Sequence, residues 1–333
     1  MSDKIPKFNK ILGLAVDGSD HYIQSSYVTL LSFLKHNADK IDEVWILTTH
    51  KKNKFNKIND LVNKIYNLKI KIIIENNIDK YKKFGTYKNN LYAWLKCSLF
   101  SKIKKNEFLI MLDIDTLVLK EINFNQIIKS ILRNKVTMAA VPAQRPVLER
   151  FSHLNLNNPY DYFNGGVIFA FYDKKWKFEN LLERHQEIIN ISLQEDYYWG
   201  EQCLINNIFN GSYFKLPPIY NLHNGYISNE YSGVLNINSL LENYISNYGL
   251  IIHFSDGTLN KKNFHPYKKL YKKEIEIIKK LFGKYNFSSL GNFEKINYQN
   301  SKLDFFLQSI YFRKKKYSNI YYPSLRKIVK KIL

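Results

Sequence analysis

Cysteine, acidic residues and long apolar runs are all scarce in this sequence. The two cysteines among 333 residues, Cys97 and Cys203, exclude a disulfide framework, and neither lies in the spacing of a metal-binding motif. No stretch approaches the ~18 apolar residues of a membrane-spanning helix, and the N-terminal segment MSDKIPKFNK lacks the apolar core of a signal peptide. We therefore expect a cytoplasmic protein that is either soluble or bound peripherally to a membrane.

The deficit of acidic residues leaves a large positive charge. Lysine and arginine total 50 against 29 for aspartate and glutamate, which gives a formal net charge of +21. Such an excess is matched by anionic partners, so nucleic acid, anionic lipid and phosphate-bearing substrates all stay open on this ground. The 45% apolar fraction is sufficient for a real core and excludes disorder as the main state.

Apolar runs alternate with helix-spaced segments, which indicates an α/β protein with a mostly parallel sheet. The predicted strands cover 11–16, 44–48, 70–74, 107–112, 137–141, 167–171 and 250–254. The predicted helices cover 22–34, 54–65, 91–103, 174–191 and 201–209. Internal repeats and a clear flexible linker are absent from the sequence, so we predict one α/β domain over 1–260, followed by a basic, aromatic helical tail over 261–333.

A pair of carboxylates, Asp113 and Asp115, follows directly after the strand predicted over 107–112. Ligands of open α/β sheets bind at the carboxyl ends of the strands. Residues two apart in an extended chain point to the same side, so both carboxylates would face one bound cation. Oxygen ligands of this kind suit Mg²⁺ or Mn²⁺, which complete their coordination with phosphate oxygens. A solvated turn is the alternative.

Three further segments begin or end at a predicted strand. Asn164, Gly165 and Gly166 precede a strand, where paired glycines let the backbone approach a bound group and the amide can donate and accept hydrogen bonds. His253 lies at the end of the last strand and could be a third ligand of a divalent metal. Asp17 follows the first strand. Each has an ordinary structural explanation by itself, but their presence in one chain favours a functional site.

Taken in order, these segments resemble glycosyltransferase family 8, the retaining nucleotide-sugar transferases that include glycogenin and bacterial lipooligosaccharide galactosyltransferases. The resemblance covers roughly 10–260 and implies a Rossmann-like, mostly parallel sheet of the GT-A type. It implies that Asp113, Asp115 and His253 bind Mn²⁺, or Mg²⁺, together with the diphosphate of a UDP-sugar. The other residues that it assigns to the donor are Ala15, Val16 and Asp17 at the uracil and ribose, Ile114 within the metal motif, and Asn164, Gly165 and Gly166 at the sugar.

The chain departs from the family pattern at basic positions. Trp94 stands where bacterial members often have an arginine, and we expect Lys96 to replace that donor contact. The family's late motif, which starts with histidine and phenylalanine, is one residue longer here before its glycine and lacks the final Pro-Trp. Gly257 and either Lys261 or Lys262 are therefore the expected contacts of the diphosphate.

Glu201 and Gln202 occupy the place of an Asp-Gln pair that lies beneath the donor sugar in the family. With Asn164 they are the catalytic candidates, with Glu201 expected to hydrogen-bond sugar hydroxyls and Gln202 expected near the anomeric carbon. An amide is a poor nucleophile, so we favour attack by the acceptor on the face from which the phosphate departs, with that phosphate taking the proton. The metal and a lysine would neutralise the leaving UDP. A helix-surface carboxylate is the alternative for Glu201.

The C-terminal tail over 261–333 indicates what kind of acceptor the enzyme uses. Apolar residues within 325–333 fall on one helical face opposite basic ones, and 313–316 is a basic run flanked by aromatic residues. A helix of this kind lies at the surface of an anionic membrane. Bacterial family members with a similar end act on lipid-linked glycans at the cytoplasmic face. We therefore expect a lipooligosaccharide or other lipid-linked glycan as the acceptor, and peripheral attachment to the inner face of the membrane. Packing of this face on the protein body is the alternative.

Other functions stay open. The 25 tyrosines could be acceptors in self-glucosylation of the glycogenin type, or the enzyme could glycosylate another protein. Lysine runs with interleaved aromatics could bind nucleic acid, but the charge is spread over many segments and no nucleic-acid motif is present. A scaffold without activity would not need Asp113, Asp115 and His253. The preferred hypothesis is a hexosyltransferase that binds a UDP-sugar and a glycan or glycolipid and does not bind nucleic acid.

Overall fold

The computed structural model describes residues 6–16, 20–77, 79–81, 94–143, 161–192, 201–223, 250–254 and 268–283, together with residue 158. The strands are β1 Asn9–Val16, β2 Glu43–Thr48, β3 Ile70–Ile74, β4 Glu107–Leu112, β5 Thr116–Val118, β6 Met138–Pro142, β7 Phe163–Phe171, β8 Phe214–Lys215, β9 Leu222–His223 and β10 Ile251–His253. The helices are α1 Asp20–Asn37, α2 Asn56–Tyr66, α3 Leu95–Phe100, α4 Phe124–Arg133, α5 Phe178–Ser192, α6 Glu201–Phe209 and α7 Lys268–Phe282.

Seven strands form the main sheet in the order β3-β2-β1-β4-β7-β6-β8. The first four are parallel, β7 is antiparallel to both β4 and β6, and β8 is parallel to β6. Every residue of β4 is buried, as expected for a strand that is covered on both faces of its sheet. The predicted α/β fold with a mostly parallel sheet is confirmed.

A second sheet of three short strands, in the order β5-β10-β9, adjoins the carboxyl end of β4. β5 begins at Thr116, four residues after β4 ends. β10 is antiparallel to β5, with His253 opposite Thr116, and parallel to β9. This small sheet therefore brings a late part of the chain to the end of the central strand.

Buried side chains form two clusters, one on each face of the main sheet. Alternation along the strands separates them: Leu12 belongs to the cluster with α1, α2, α4 and α7, whereas Ile11 belongs to the cluster with α3, α5 and α6. Each fully buried leucine, isoleucine or phenylalanine contributes about 1.5–3 kcal/mol to the stability of this arrangement. The sheet is thus a rigid base for the residues at its carboxyl edge.

Some elements differ from the pattern-based predictions. Asn164, Gly165 and Gly166 do not precede β7 but lie within it, because Phe163 already pairs with Pro142 of β6. The segment predicted as one helix over 174–191 begins with a 3-10 turn, in which the Lys175 N–H donates to the side chain of Asp173, and continues as α5. Of the helix predicted over 91–103, the structure describes α3 and the residues after it.

The described part of the predicted tail is helix α7, which packs on α1. Ile275 and Ile278 are buried against the core, and Lys35 of α1 forms an ion pair with the buried Glu274 at 2.7 Å. The amphipathic segment 325–333 lies outside the described residues, so its role stays a prediction. Among the helices that the structure describes, none combines the length and the hydropathy of a bilayer-spanning segment.

Candidate active site

The two predicted carboxylates lie in a turn between the two sheets. The Asp113 N–H donates to the Gly166 carbonyl of β7 at 2.8 Å, which continues the pairing of β4 with β7 by one residue. The Asp113 carbonyl then accepts bonds from the Thr116 N–H at 3.2 Å and the Thr116 hydroxyl at 2.8 Å. Ile114 and Asp115 therefore form a turn. We predicted an extended chain for Asp113 and Asp115, and the structure has a turn there instead.

His253 comes to this turn from β10. The Phe254 N–H donates to the Asp115 carbonyl at 2.9 Å, which fixes the end of β10 beside the carboxylates. The His253 Nε2 atom lies 3.2 Å from Asp115 Oδ1 and 3.6 Å from Asp113 Oδ2. One ligand atom from each of these residues lies within 4.8 Å of the others. The imidazole is only 4% exposed, whereas the carboxylates of Asp113 and Asp115 are 19% and 22% exposed.

The close approach of opposite charges shifts the protonation of this cluster. Burial acts to lower the pKa of His253, but Asp115 and then Asp113 outweigh it, so that the pKa lies above its usual value. Burial acts to raise the pKa of Asp115, and the neighbouring His253 lowers it on balance. Protons therefore compete with a cation mainly at the imidazole.

Lys96 of α3 and Glu201 of α6 complete the charged part of the site. The Lys96 ammonium lies 2.6 Å from Asp113 Oδ1, 2.9 Å from its Oδ2 and 3.2 Å from Glu201 Oε1. Burial acts to lower the pKa of Lys96, but the two carboxylates raise it well above the ordinary range. Burial and then Asp113 raise the pKa of Glu201 despite the attraction of Lys96.

The glycines at the start of β7 have two different neighbours. The Gly165 N–H donates to Gln202 Oε1 at 2.9 Å, and Gln202 Nε2 donates to the Tyr162 hydroxyl at 2.8 Å. A Cβ at Gly166 would lie 2.1 Å from Cε1 of His253. The structure thus shows that the missing side chain at 166 makes room for the imidazole, whereas the sequence suggested a close approach to a bound group.

The other predicted site residues are distributed as follows. Ala15 and Val16 end β1, at the same edge of the sheet as the carboxylates. Ile114 lies in the turn, between Asp113 and Asp115. Asp17, Gly257, Lys261 and Lys262 lie outside the described residues.

Two residues of the site, Thr29 and Asn221, were not predicted from the sequence. Thr29 of α1 donates its hydroxyl hydrogen bond to the carbonyls of Ile114 at 2.9 Å and Thr116 at 2.8 Å, and so supports the turn. Asn221 is fully buried and lies 3.1 Å from His253 Nδ1. Asn221 directly precedes the two-residue strand β9, which is too short to show a periodic pattern. Thr29 occupies one buried position of an ordinary helix, so neither residue carries a local signal.

The residues present fit a divalent cation. Two carboxylates and one imidazole nitrogen are the donor set that Mn²⁺ accepts, and Gly166 leaves the space in which the imidazole can face the carboxylates. Among the described residues, the three carboxylates of Asp113, Asp115 and Glu201 form ion pairs with the ammonium of Lys96 and with the imidazole of His253, which is charged only when protonated. The unbalanced negative charge favours a cation between Asp113, Asp115 and His253.

Comparison with known proteins agrees with this arrangement. The sequence profile described as glycosyl transferase family 8 matches residues 14–259. A comparison with curated protein sequences gave no significant match. The fold is similar to that of galactosyltransferase LgtC in complex with donor and acceptor sugar analogues, with a TM-score of 0.59 and 15% identity over 80% of this chain and 95% of that chain.

Two other glycosyltransferase structures share the fold. GlyE of Streptococcus pneumoniae TIGR4 has a TM-score of 0.53 and 15% identity over 84% of this chain and 64% of that chain. Mouse xyloside xylosyltransferase 1 has a TM-score of 0.51 and 14% identity over 75% of this chain and 98% of that chain. At such identities the likeness concerns the fold, whereas the profile match extends over most of the chain. This chain therefore belongs to glycosyl transferase family 8 and is a glycosyltransferase.

Proposed function

We propose that this glycosyltransferase transfers a hexose from a UDP-sugar to a glycan, with retention of the anomeric configuration, and that it depends on Mn²⁺ or Mg²⁺. The observation that carries the proposal is the convergence of Asp113, Asp115 and His253 within 4.8 Å at the carboxyl edge of a family 8 fold. When bound, the cation supplies positive charge to the diphosphate as the UDP departs. Asp113, Asp115 and His253 would hold it.

Lys96 and Glu201 orient the acidic part of the site. Lys96 holds both oxygens of Asp113 and one oxygen of Glu201, so it restrains two carboxylates that would otherwise repel each other. The Glu201 carboxylate can accept a hydrogen bond from a sugar hydroxyl. We assign Glu201 to binding of the donor sugar and Lys96 to alignment of Asp113.

Gln202 supports direct attack by the acceptor. Its amide oxygen already accepts a hydrogen bond from Gly165, and its amide nitrogen donates to Tyr162. An amide held at both ends in this way orients neighbouring groups but does not act as a nucleophile. The acceptor hydroxyl would then attack on the face from which the phosphate leaves, and the phosphate would take the proton. Asn164, Gly165 and Gly166 would border the sugar.

The remaining donor contacts belong to the same proposal. Ala15, Val16 and Asp17 are assigned to the nucleoside because β1 ends at the edge where the carboxylates lie. Gly257 and Lys261 or Lys262 are assigned to the diphosphate from the family motif that follows His253.

A lipid-linked glycan at the cytoplasmic face of a membrane is the proposed acceptor. The net charge of +21 and the basic, amphipathic segment 325–333 support it. Helix α7 adds exposed lysines, Lys272, Lys273 and Lys280, on the side that does not pack on α1. We expect deletion of 318–333 to weaken binding to vesicles that contain anionic lipid, with neutral vesicles as the control and hydrolysis of UDP-sugar unchanged. Equal binding by the shortened chain would contradict the attachment.

The donor site is tested by thermal unfolding with UDP, with and without Mn²⁺. A ligand that binds only the folded state at 100 times its Kd stabilises that state by about 2.7 kcal/mol. We expect a rise in Tm that requires UDP and Mn²⁺ together, and no rise at saturating concentrations of both would overturn the proposal. Mass spectrometry after incubation with UDP-glucose then tests self-glucosylation, because only that reaction adds hexose mass to the chain.

A further inference from the structure

We propose that Asn221 is a positioning residue that favours a hydrogen on Nδ1 of His253, and that the backbone N–H of Gly166 fixes the orientation of the Asn221 amide through Asn164. The use of the other nitrogen for a cation rests on the proposed function. The preference for Nδ1 follows from hydrogen bonds in the protein alone, and Asp115 Oδ1, which faces Nε2, competes for the hydrogen while no cation is bound.

Two side-chain amides, Asn164 and the buried Asn221, connect Gly166 with His253. The Gly166 N–H donates to Asn164 Oδ1 at 2.9 Å, and Asn221 Nδ2 donates to the same oxygen at 2.9 Å. Asn221 Oδ1 lies 3.1 Å from His253 Nδ1. Asn221 is 0% exposed, so water does not compete for its contact with the imidazole.

The direction of each bond follows from its neighbour. A backbone N–H can only donate, so the Asn164 atom beside Gly166 is the carbonyl oxygen. An oxygen needs a donor opposite it, so Asn221 turns its NH₂ group to Asn164. The carbonyl oxygen of Asn221 then faces His253, and Nδ1 must carry a hydrogen to complete the bond. In the neutral imidazole this leaves the lone pair on Nε2.

The Nε2 atom is the nitrogen that faces Asp115 and Asp113. A lone pair at that position can bind a cation between the carboxylates, whereas the other tautomer would present a hydrogen. Rotating the Asn221 amide by half a turn would turn its buried carbonyl oxygen toward Asn164 Oδ1, so that two acceptors face each other without a hydrogen between them, which disfavours that state by at least about fivefold. Partners of this kind fix both the tautomer and the orientation of metal-binding histidines.

The backbone around Asn221 is held on both sides. Its N–H donates to the Pro218 carbonyl at 2.9 Å, at the end of the 3-10 turn Pro218–Tyr220. The next residue, Leu222, pairs with Ile252 in the small sheet, one residue before His253. Asn221 therefore directly precedes β9, the strand next to that of His253, and the amide cannot move away from the imidazole without disturbing β9.

The tautomer is measured by NMR of protein with ¹⁵N-labelled histidine, free of metal and at alkaline pH, where the imidazole is neutral. The signal of His253 among the 8 histidines is identified from its loss in His253→Gln. Asn221 and Asp115 compete for the one hydrogen of the neutral imidazole, so we expect a share of the Nδ1–H form in the unchanged protein that is lost in Asn221→Leu, where the acceptor at Nε2 remains and the one at Nδ1 does not. In the same variant, calorimetric titration with Mn²⁺ should show an affinity about 10- to 100-fold lower.

Two other variants are controls, one for the loss of a buried amide and one for the acceptor at Nδ1. Asn37→Leu removes a buried amide that also joins two segments, at the last residue of α1, about 12 Å along the helix from Thr29, which supports the turn. It should change neither the tautomer nor the Mn²⁺ affinity. Asn221→Asp keeps an oxygen that faces Nδ1 and should keep the Nδ1–H form. If Asn221→Leu does not fold, a third variant, Asn164→Leu, breaks the same relay one step earlier and should also lower the share of the Nδ1–H form.

The outcomes separate this proposal from the proposed function. A share of the Nδ1–H form that is no larger in the unchanged protein than in folded Asn221→Leu would overturn the role of Asn221 whether or not metal binds. An unchanged Mn²⁺ affinity in folded Asn221→Leu would overturn its support of the cation site. A share of the Nδ1–H form that is lost in Asn221→Leu, in a protein that never binds Mn²⁺, would uphold the relay and refute the metal-dependent activity.

Discussion

Substitution of Gly166 by alanine tests how the imidazole is held in the site. The added Cβ would lie 2.1 Å from His253 Cε1, 2.3 Å from Nδ1 and 2.8 Å from Nε2. Ordinary contact begins near 3.4 Å, so the methyl group and the imidazole must separate by about 1.3 Å. Ligand distances in metal sites vary by only about 0.2 Å. The displacement is therefore large enough to take Nε2 out of the site.

The same clash has a cost in stability. The imidazole is enclosed by Asn221 on one side and by the turn at Asp115 on the other, and overpacking in such places costs about 1–3 kcal/mol. For a domain of this size that loss corresponds to a fall in Tm of about 2 to 12 °C. We expect Gly166→Ala to bind Mn²⁺ at least about 100-fold more weakly than the unchanged chain, since it displaces a ligand and not only its support.

The neighbouring glycine is the matched control. A Cβ at Gly165 would meet Gln202 at 3.5 Å, which is ordinary contact, so Gly165→Ala should keep both its Tm and its Mn²⁺ affinity. Thermal unfolding and calorimetric titration with Mn²⁺ measure both quantities for the two variants. The reasoning is refuted if Gly166→Ala binds Mn²⁺ as tightly as Gly165→Ala, or if the two variants unfold at the same temperature.

Three other perturbations have defined outcomes. Asp115→Asn should reduce transfer more than about 100-fold with the Tm preserved, and unchanged turnover would remove the cation from the mechanism. Because the pKa of His253 is raised, Mn²⁺ affinity should fall about tenfold per pH unit below that pKa, beginning at a higher pH than for a free imidazole; a pH-independent affinity in calorimetry would contradict this. Glu75→Gln should cost about 1–3 kcal/mol near neutral pH in urea unfolding, because buried Glu75 accepts hydrogen bonds from Lys80 and Ser98. Burial raises the pKa of Glu75 but these bonds lower it on balance, so the cost should shrink as pH falls through that pKa, and a constant cost would be the contrary result.

The apolar pattern predicted the central part of the fold well. Strands β3 and β4 and helix α6 begin and end at the predicted residues, because each is a mainly apolar segment whose ends are marked by polar residues. Helix α4 escaped prediction although Phe124, Ile127, Ile128 and Ile131 repeat at helical spacing and Asn123 caps its first turn. Strands β8 and β9 have two residues each, so their stability comes from partners that are distant in sequence.

The candidate site was predictable as a set of residue types but not as a network. The sequence placed Asp113, Asp115 and His253 near one another, and the described structure has them within 4.8 Å. It did not show that Lys96 contacts Asp113 and Glu201, because that contact depends on how α3 and α6 are placed on the same face of the sheet. Residue 166 must be glycine because the imidazole of His253, which belongs to the small sheet, occupies the space of a side chain. No local sequence pattern indicates this contact.

The separation of the ligands along the chain has a consequence for synthesis on the ribosome. The two carboxylates are made early, whereas the imidazole follows Asp115 by 138 residues. At about 5–20 residues per second this interval lasts about 7 to 28 s. During that time the nascent main sheet can fold, but the cluster has no third ligand. A chain that stops before the small sheet is complete therefore holds no finished site, and completion of the site coincides with synthesis of nearly the whole family domain.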